Sequence, residues 1–382
     1  MSRTPPPARR DPRTGVRVAI AHDYVTQRGG AERVVLAMLR AFPEAALHTT
    51  LYDSRTSYPE YAQHEIHTSP LNAVGALRRD HRLALPLLAG AVGQMRIDAD
   101  VVIASSSGWA HGIATTGRRV VYCYSPARWL YQSERYLGRP LRSSPQGWAL
   151  AGLRVPLRVW DRRAARQAGP YLAISREVQT RIRDTYGLAS TVVPAPHSMD
   201  PGAPQACVPA LSDWSSGFHL VVSRLLPYKN VDAAVSAMHG RTDRLVVIGD
   251  GPLKDEVSRR LPSNVRLLSG LTDDQMRWVY AHATTLVAPS VEDYGLTPLE
   301  AGMFGAPTVA LRGGGYLDTI TEGVTGLFFD EPTPQAITAA LDARARHTWE
   351  PSTIRQHAST FNETAFAATL RESIRSAMGG AT

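Results

Sequence analysis

Cysteine is almost absent from this sequence, which has 382 residues and two cysteines, Cys123 and Cys207. So few cysteines exclude a disulfide framework and a cysteine-rich zinc site, and they fit a reducing cytosol. The chain also lacks an apolar run of roughly eighteen residues, so it predicts no transmembrane helix. Its first residues lack the apolar segment of a secretory signal. The sequence therefore predicts a cytoplasmic protein that is soluble or peripheral to a membrane.

Acidic residues are fewer than basic ones, with 34 Asp and Glu against 42 Lys and Arg and a formal net charge of +8. Part of the excess lies in residues 1–14, which are rich in Pro and Arg and predict a disordered basic tail. The remainder is mildly basic and contains no recognised nucleic-acid-binding module. We therefore expect no nucleic-acid partner.

Length and periodicity favour two α/β domains, since a domain takes roughly 150 residues. Short apolar strands alternate with helical stretches in both halves, and their runs of Val and Ile are typical of parallel sheets. The proline-rich segment 191–214 interrupts this pattern. The sequence predicts one Rossmann-like domain over 15–200, a second over 201–360 and a C-terminal amphipathic helix over 361–382.

Two glutamates, Glu292 and Glu300, follow the predicted strand TTLVAPS. Ligands of open α/β sheets bind beyond the carboxyl ends of the strands. Gly295 lies between the glutamates, and Pro298 suits the first turn of a helix that carries Glu300. We expect both carboxylates to face the ligand. The alternative for Glu300 is a first-turn glutamate that complements the helix dipole.

Two cations, Arg224 and Lys229, follow the strand FHLVV across a turn that contains proline. A forked guanidinium and an ammonium at a strand end suit a diphosphate, and a solvated surface pair is the alternative. Gly249 and Gly251 follow the next strand. They form half of a dinucleotide fingerprint, because Lys254 stands where the third glycine belongs, so a tight turn and a ligand contact both stay open.

Two further glycine-rich turns are candidate ligand contacts. Gly29 and Gly30 open the first predicted helix, where backbone N–H groups and the helix dipole suit a phosphate or an anionic acceptor. The glycines at 313–315 follow a later strand, and glycine permits a ligand to approach the backbone closely.

His111 follows the strand DVVIASS, so we list it as a candidate catalytic residue, with a purely structural role as the alternative. Asp98 and Asp100 have a spacing seen in metal chelation. They precede that strand, however, and the sequence therefore predicts no metal site there.

These motifs together resemble retaining glycosyltransferase family 4 over nearly the whole chain. The most specific element is the pair Glu292 and Glu300 with Gly295 and Pro298 between them. Supporting elements are SRLLPYK at 223–229, Gly29-Gly30 and GVTGLFF late in the chain. The resemblance implies the α/β GT-B fold, with two facing Rossmann-like doubly wound domains and a C-terminal helix that crosses back to the first domain.

The resemblance also implies site roles. Glu300 is expected to hold the ribose hydroxyls of a nucleotide, and Glu292 to lie by the donor sugar. The leaving diphosphate would be stabilised by Arg224 and Lys229, with no metal and no other cofactor. The remaining donor-binding residues are expected to be Gly295, Leu296 and Thr297 near the phosphates, Leu268 near the base through its backbone, and Gly29, Gly30, Gly249 and Gly251.

One departure from the family concerns the turn at 313–315. Family members often carry a glutamate after it, where this chain has Tyr316, Leu317 and Asp318. Asp318 is the candidate substitute.

The segments HDYVTQRGGAERVV and YCYSPARWLYQ look like those of bacterial mannosyltransferases that build O-antigen and exopolysaccharide units from GDP-mannose. They imply a nucleotide-sugar donor and a glycan or lipid-linked acceptor. A donor of the UDP-sugar class is the first alternative, and a sugar-nucleotide 2-epimerase or a non-catalytic binding protein is the second. Segments 71–92 and 153–167 interleave cations with apolar residues, which suits docking at an anionic membrane and equally suits ordinary amphipathic helices.

Overall fold

The computed structural model describes residues 15–132 and 145–379, and the chain divides into two compact units. Unit 1 runs to Pro196 and includes the segment from Glu363, whereas unit 2 is His197–Asn362. The divisions thus fall after 196 and 362, beside the sequence-based boundaries at 200 and 360. The predicted basic tail over 1–14 lies outside the described residues.

Unit 1 is built on a parallel sheet. The described strands are β1 (Val18–His22), β2 (Leu47–Thr49), β3 (Ile66–Thr68), β4 (Arg96–Ile97), β5 (Val101–Ser106), β6 (Ala114–Thr115), β7 (Arg118–Cys123), β8 (Tyr171–Ala173) and β9 (Ser190–Val192). Seven of them form one sheet in the order β3-β2-β1-β5-β7-β8-β9, and β4 pairs with β6. All residues of β1 and β5 are buried, as expected for strands covered on both faces.

Helices cover this sheet. The α-helices described in unit 1 are α1 (Gly30–Ala41), α2 (Gly75–Arg79), α3 (Leu85–Gln94), α4 (Arg128–Tyr131), α5 (Pro145–Gln167) and α6 (Arg176–Tyr186). Local chemistry sets the bounds of α6, because the Ser175 hydroxyl accepts a hydrogen bond from Val178 N and Gly187 ends the helix in the left-handed conformation. No described helix combines the length and the apolar character that a membrane span requires.

The last described helix, Glu363–Gly379, belongs to unit 1. Arg40 pairs with Glu363 at 2.5 Å, and Arg371 Nη2 donates to the Ala41 carbonyl at 2.8 Å. Its Phe366 ring meets Tyr122 of β7 edge-on, with centroids 5.6 Å apart. The final segment therefore packs on the first helix and the sheet of unit 1.

Unit 2 repeats the architecture. Its strands are β10 (Phe218–Val222), β11 (Leu245–Ile248), β12 (Val265–Leu268), β13 (Ala283–Ala288), β14 (Thr308–Leu311) and β15 (Gly326–Phe329). Its helices are α7 (Val231–Ser236), α8 (Lys254–Ser258), α9 (Asp273–His282), α10 (Leu296–Met303), α11 (Tyr316–Thr319), α12 (Pro334–Arg346) and α13 (Pro351–Ser359), and Glu363–Gly379 above is α14.

The strand order in unit 2 fixes where a ligand is expected. The parallel sheet has the order β12-β11-β10-β13-β14-β15, so the chain direction across the sheet reverses between β10 and β13. In doubly wound sheets the crevice for a nucleotide opens beyond the carboxyl ends of the strands at this reversal. The segments after β10 and β13 hold the sequence-predicted cations and glutamates.

Candidate functional site

The carboxyl ends of β10 and β13 bring Lys229 and Glu292 together. The Lys229 ammonium contacts Glu292 Oε1 directly. Beside them, Asn230 Nδ2 donates to the Pro289 carbonyl at 2.8 Å and ties the two loops to each other. Asn230 adopts a left-handed backbone with φ of 52°, a conformation that asparagine tolerates better than most residues. The sequence pattern gave no signal for Asn230.

The Lys229–Glu292 pair is largely buried, but part of each side chain stays accessible to solvent. The exposed fractions of the two side chains are 11% and 23%. Ser290 Oγ donates a second hydrogen bond to Glu292 Oε1 at 2.7 Å. Arg224 lies on the same loop as Lys229 and is exposed, and its guanidinium makes no hydrogen bond to another described residue. The site thus presents one cation that is paired with a carboxylate, Lys229, and one exposed cation, Arg224.

Glu300 lies on α10, as the sequence predicts. The helix begins after Gly295, whose φ of 104° suits glycine, and Pro298 falls in its first turn. The Tyr280 hydroxyl of α9 donates to Glu300 Oε2 at 2.6 Å. Tyr280 is fully buried, so its hydroxyl holds the carboxylate from the protein side.

The glycines after β11 have a structural reason that is independent of a ligand. A Cβ atom at Gly249 would lie 2.0 Å from the Ser223 carbonyl oxygen, and one at Gly251 would lie 2.6 Å from the Leu225 carbonyl oxygen. Both glycines therefore let this turn pack against the loop that carries Arg224. The Leu268 carbonyl accepts a hydrogen bond from Gly249 N at 2.9 Å, so it is already used inside the sheet.

The glycine turn after β14 packs in the same way against the Glu292 loop. A Cβ atom at Gly314 would lie 2.1 Å from the Glu292 carbonyl oxygen, and one at Gly315 would lie 2.2 Å from the Tyr294 Cα atom. Gly315 N donates to that same Glu292 carbonyl at 2.8 Å. The turn therefore supports the loop that holds Glu292.

Tyr316 follows this turn and is 3% exposed. Its ring lies against Gly295, where an added Cβ atom would be 2.5 Å from Tyr316 Cδ1. Burial, reinforced by the Glu292 charge, raises the pKa of Tyr316 well above its usual value, which keeps the hydroxyl protonated. Asp318, the candidate substitute for the family glutamate, lies near Tyr294, and its charge adds to the burial that raises the pKa of that tyrosine.

In unit 1 the start of α1 is occupied by a side chain of the protein. Gly29 precedes the helix, and a Cβ atom there would lie 2.4 Å from Glu32 Oε2. Gln27 Nε2 donates to Glu32 Oε1 at 3.0 Å. Glu32 is 1% exposed, and burial raises the pKa of its carboxyl. The Gly29-Gly30 turn therefore accommodates Glu32, and binding of a ligand anion by this turn stays a prediction.

His111 lies inside unit 1 and is 2% exposed. Its Nε2 atom is 3.1 Å from Asp161 Oδ1, at an angle outside hydrogen-bond geometry. Its Nδ1 atom is 3.3 Å from Ser106 Oγ, and Tyr131 donates to Asp161 Oδ2 at 2.7 Å. These contacts describe a buried polar cluster, so they favour the structural alternative, and the catalytic role of His111 stays a prediction.

Asp98 and Asp100 are paired with a cation of the protein. Arg17 lies 2.8 Å from Asp100 and 3.4 Å from Asp98. Thr116 donates a further hydrogen bond to Asp98 at 3.0 Å. Within the described residues, no group of three or more His, Cys, Asp or Glu side chains is arranged to hold a metal ion.

Sequence reasoning missed Asp23, whose carboxylate organises the loop after β5. It accepts hydrogen bonds from the backbone N–H groups of Ser107, Trp109 and Ala110 at 2.6–2.7 Å and from the Ser107 hydroxyl at 3.0 Å. Asp23 is 1% exposed. Its position directly after β1 was the available signal, because a polar residue at a strand end meets the neighbouring strand ends.

The segment that contains these unit 2 residues matches a known family. Residues 214–347 match the family model "Glycosyl transferases group 1". This segment is thus similar to the group 1 glycosyl transferases. Glycogen synthase of Pseudomonas syringae pv. tomato is 34% identical over 140 residues, which are 34% of this chain and 29% of that protein. The group 1 segment thus carries the similarity, and the matched region is under a third of that glycogen synthase.

Solved structures extend the likeness to nearly the whole chain. Anabaena Alr3699/HepE in complex with UDP-glucose superposes with a TM-score of 0.65 at 17% identity, covering 94% of this chain and 99% of that one. Sucrose-phosphate synthase from Thermosynechococcus elongatus superposes with a TM-score of 0.67 at 16% identity, covering 95% of this chain and 100% of that one. At such identities the likeness shows the fold alone. The predicted α/β GT-B fold with Rossmann-like domains is confirmed.

Proposed function

We propose that the protein is a retaining glycosyltransferase that moves a sugar from a nucleoside diphosphate sugar to a hydroxyl group of an acceptor. The observation that carries this proposal is the contact of Lys229 with Glu292 where the strand order of unit 2 reverses, with Arg224 exposed on the same loop. The group 1 match of residues 214–347 supports it.

The charges of the site suit departure of a diphosphate. Cleavage between the anomeric carbon and the phosphate oxygen leaves negative charge on the diphosphate and positive charge on the sugar. We assign Arg224 and Lys229 to the phosphates and Glu292 to the donor sugar. A lysine has three donors, so Lys229 can keep Glu292 while it binds a phosphate oxygen.

The proposed reaction retains the anomeric configuration through displacement on one face of the sugar. The acceptor oxygen forms the new bond to the anomeric carbon, the phosphate oxygen leaves, and that oxygen takes the acceptor proton. We propose no nucleophile from the protein and no metal. Glu300, held by Tyr280, is assigned to the ribose hydroxyls.

We propose GDP-mannose as the donor, on the strength of the N-terminal segments HDYVTQRGGAERVV and YCYSPARWLYQ. UDP-glucose is the second candidate, favoured by the crystal structures of Anabaena Alr3699/HepE with UDP-glucose and with UDP. We assign recognition of the nucleotide base mainly to backbone groups near Leu268. Backbone groups do not depend on the residue type, so the sequence does not distinguish a guanine from a uracil ligand.

Calorimetric titration tests the donor. We expect selective binding of GDP and GDP-mannose, unchanged by EDTA and weakened at least about tenfold in Glu300→Ala, since that residue would lose hydrogen bonds to ribose. UDP, UDP-glucose and UDP-N-acetylglucosamine are the comparison ligands. Preference for a UDP ligand would overturn the mannose assignment, and absence of binding to every one of them would overturn the transferase proposal.

We propose further that the acceptor is a glycan or lipid-linked sugar and that unit 1 docks on the cytoplasmic face of an anionic membrane. Val155 and Val159 of α5 are 69% and 64% exposed and lie one helical turn apart. The exposed Arg162, Arg163 and Arg166 continue the same helix. An apolar ridge followed by arginines complements the interface of a bilayer with anionic headgroups.

Vesicle co-sedimentation tests this surface. We expect binding to vesicles with anionic lipid, weaker binding at high salt, and at least about tenfold weaker binding of the Val155→Ser/Val159→Ser/Arg163→Glu variant. Leu317→Ser is the matched control, because Leu317 is 51% exposed but lies in unit 2. Equal binding of wild type and triple variant would refute the assignment.

A further inference from the structure

Asn230 departs from two local rules of stability at once. In the part of the chain that the structure describes, it is the only residue other than glycine with a left-handed backbone. It also occupies the N-cap position of α7, where an asparagine side chain ordinarily accepts a hydrogen bond from the first turn. No such capping bond is present among the described residues. Local departures of this kind concentrate at functional sites.

The Asn230 side chain instead joins two loops at strand ends of unit 2. Its Nδ2 atom donates to the Pro289 carbonyl at 2.8 Å. Asn230 lies in the segment after β10, and Pro289 directly follows β13. These two strands are neighbours in the sheet, and the strand order reverses between them. The hydrogen bond therefore fastens together the two loops that border the expected nucleotide crevice.

The same two loops carry the charged pair of the site. Lys229 directly precedes Asn230, and its ammonium contacts Glu292 Oε1. Ser290 directly follows Pro289, and its hydroxyl donates to the same oxygen at 2.7 Å. Asn230 and Pro289 are thus the chain neighbours of the two residues that hold Glu292.

A fixed backbone matters here because lysine is flexible. Its ammonium is a compact point charge on a four-carbon stem, so the position of the backbone limits where the charge can lie. The hydrogen bond of Asn230 joins two neutral groups and adds no charge beside the phosphates. It can therefore hold Lys229 near both Glu292 and a leaving diphosphate without competing for either.

We infer that Asn230 is a positioning residue for sugar transfer, which acts through Lys229 by fastening its loop to the loop of Glu292. This inference rests on the proposed function. It goes beyond that function because it assigns part of the catalytic effect to a neutral side chain whose hydrogen bond is made to the protein.

The first test is Asn230→Gly, which permits the left-handed backbone and removes the amide. Turnover is measured as release of nucleoside diphosphate from the nucleotide sugar that the wild type prefers, and nucleotide binding is measured by calorimetry. We expect kcat to fall about tenfold, because Lys229 is no longer held in place. Binding should stay within about threefold because Lys229 keeps its charge, and Tm should fall by only a few degrees.

Asn230→Asp covers the case in which the glycine variant does not fold. Aspartate has nearly the same size and also tolerates the left-handed backbone, but its carboxylate cannot donate to the Pro289 carbonyl. It should lose at least as much kcat as Asn230→Gly.

Asn264 offers a matched control, because its amide also fastens loops of unit 2. Its Nδ2 atom donates at 2.8–3.1 Å to the carbonyls of Met238, Arg241 and Asp243. Asn264 directly precedes β12, so it lies at the amino end of a strand, on the opposite edge of the parallel sheet from Lys229. Asn264→Gly should lower Tm at least as much as Asn230→Gly and leave kcat within about twofold.

A double-mutant cycle with Lys229→Ala separates positioning from a general effect on the fold. Because Asn230 acts through Lys229 in this inference, Asn230→Gly should change turnover by no more than about twofold once Lys229 is alanine. An effect that does not pass through Lys229 would instead multiply with the loss that Lys229→Ala causes.

Two results would overturn the inference. The first is wild-type kcat in a folded Asn230→Gly protein, and the second is an undiminished tenfold loss in the Lys229→Ala background. Both presuppose a wild type that binds and turns over a nucleotide sugar. A wild type that binds no nucleotide instead removes the proposed function itself, and this inference with it.

Discussion

Replacing Lys229 with alanine should lower the rate of diphosphate release from the nucleotide sugar by roughly 10- to 100-fold, measured at saturating donor. Two effects add. The variant loses a cation assigned to the leaving diphosphate, and it leaves the Glu292 carboxylate, whose side chain is 23% exposed, without its ammonium partner. Arg224→Ala should show only the first of these two effects, the loss of a cation at the diphosphate, because Arg224 is exposed and does not pair with Glu292.

Lys254→Ala is the control for this experiment. Lys254 is also a cation at a strand end of unit 2, but it pairs with Asp250 at 3.3 Å and with Ser269 at 2.8 Å. Its removal should leave turnover within about twofold. Lys229→Arg should recover part of the loss because it keeps the charge but not the compact geometry. Full activity in Lys229→Ala would remove Lys229 from the phosphate site.

Gly314→Ala should damage both stability and activity. Gly314 has a φ of 61°, and its added Cβ would lie 2.1 Å from the Glu292 carbonyl oxygen. The turn must therefore move, and the Glu292 loop moves with it. A strained left-handed alanine alone costs about 1–2 kcal/mol, or a few degrees in Tm for a domain of this size. We expect a larger drop in Tm and at least about a tenfold fall in turnover.

Gly240→Ala isolates the backbone strain. Gly240 has a similar φ of 74°, but no atom lies within 4 Å of its added Cβ. It should show the few-degree fall in Tm and nearly normal turnover. Equal behaviour of the two variants, by thermal unfolding and by turnover, would mean that the close approach of Gly314 to the Glu292 loop does not matter.

The sequence predicted the parts of the site that depend on strand ends and short spacings. Glu300 lies on α10 because Pro298 and Gly295 define a local helix start, and Arg224 and Lys229 follow β10, a strand of clear apolar character. That both glutamates face the ligand stays a prediction. The strands β2 and β3 have three residues each and are too short for a period-two pattern to reveal.

What the sequence could not reveal are contacts between segments far apart in the chain. Gly249, Gly251 and Gly314 look like ligand-binding glycines in sequence, yet each packs against the backbone of another loop. Gly29 likewise makes room for Glu32. The order of the strands in the folded sheet decides which loop lies next to each of these glycines. That order cannot be read from the local sequence around the glycine.

The helix Glu363–Gly379 has a consequence for how the protein is made. It belongs to unit 1, although all of unit 2 separates it from the rest of that unit in the chain. The ribosome therefore delivers this part of unit 1 after the whole of unit 2. Until then the surfaces around Phe42 and Tyr122, which Arg371 and Phe366 later cover, stay open to water or to a chaperone. The unit that is synthesised first is completed last.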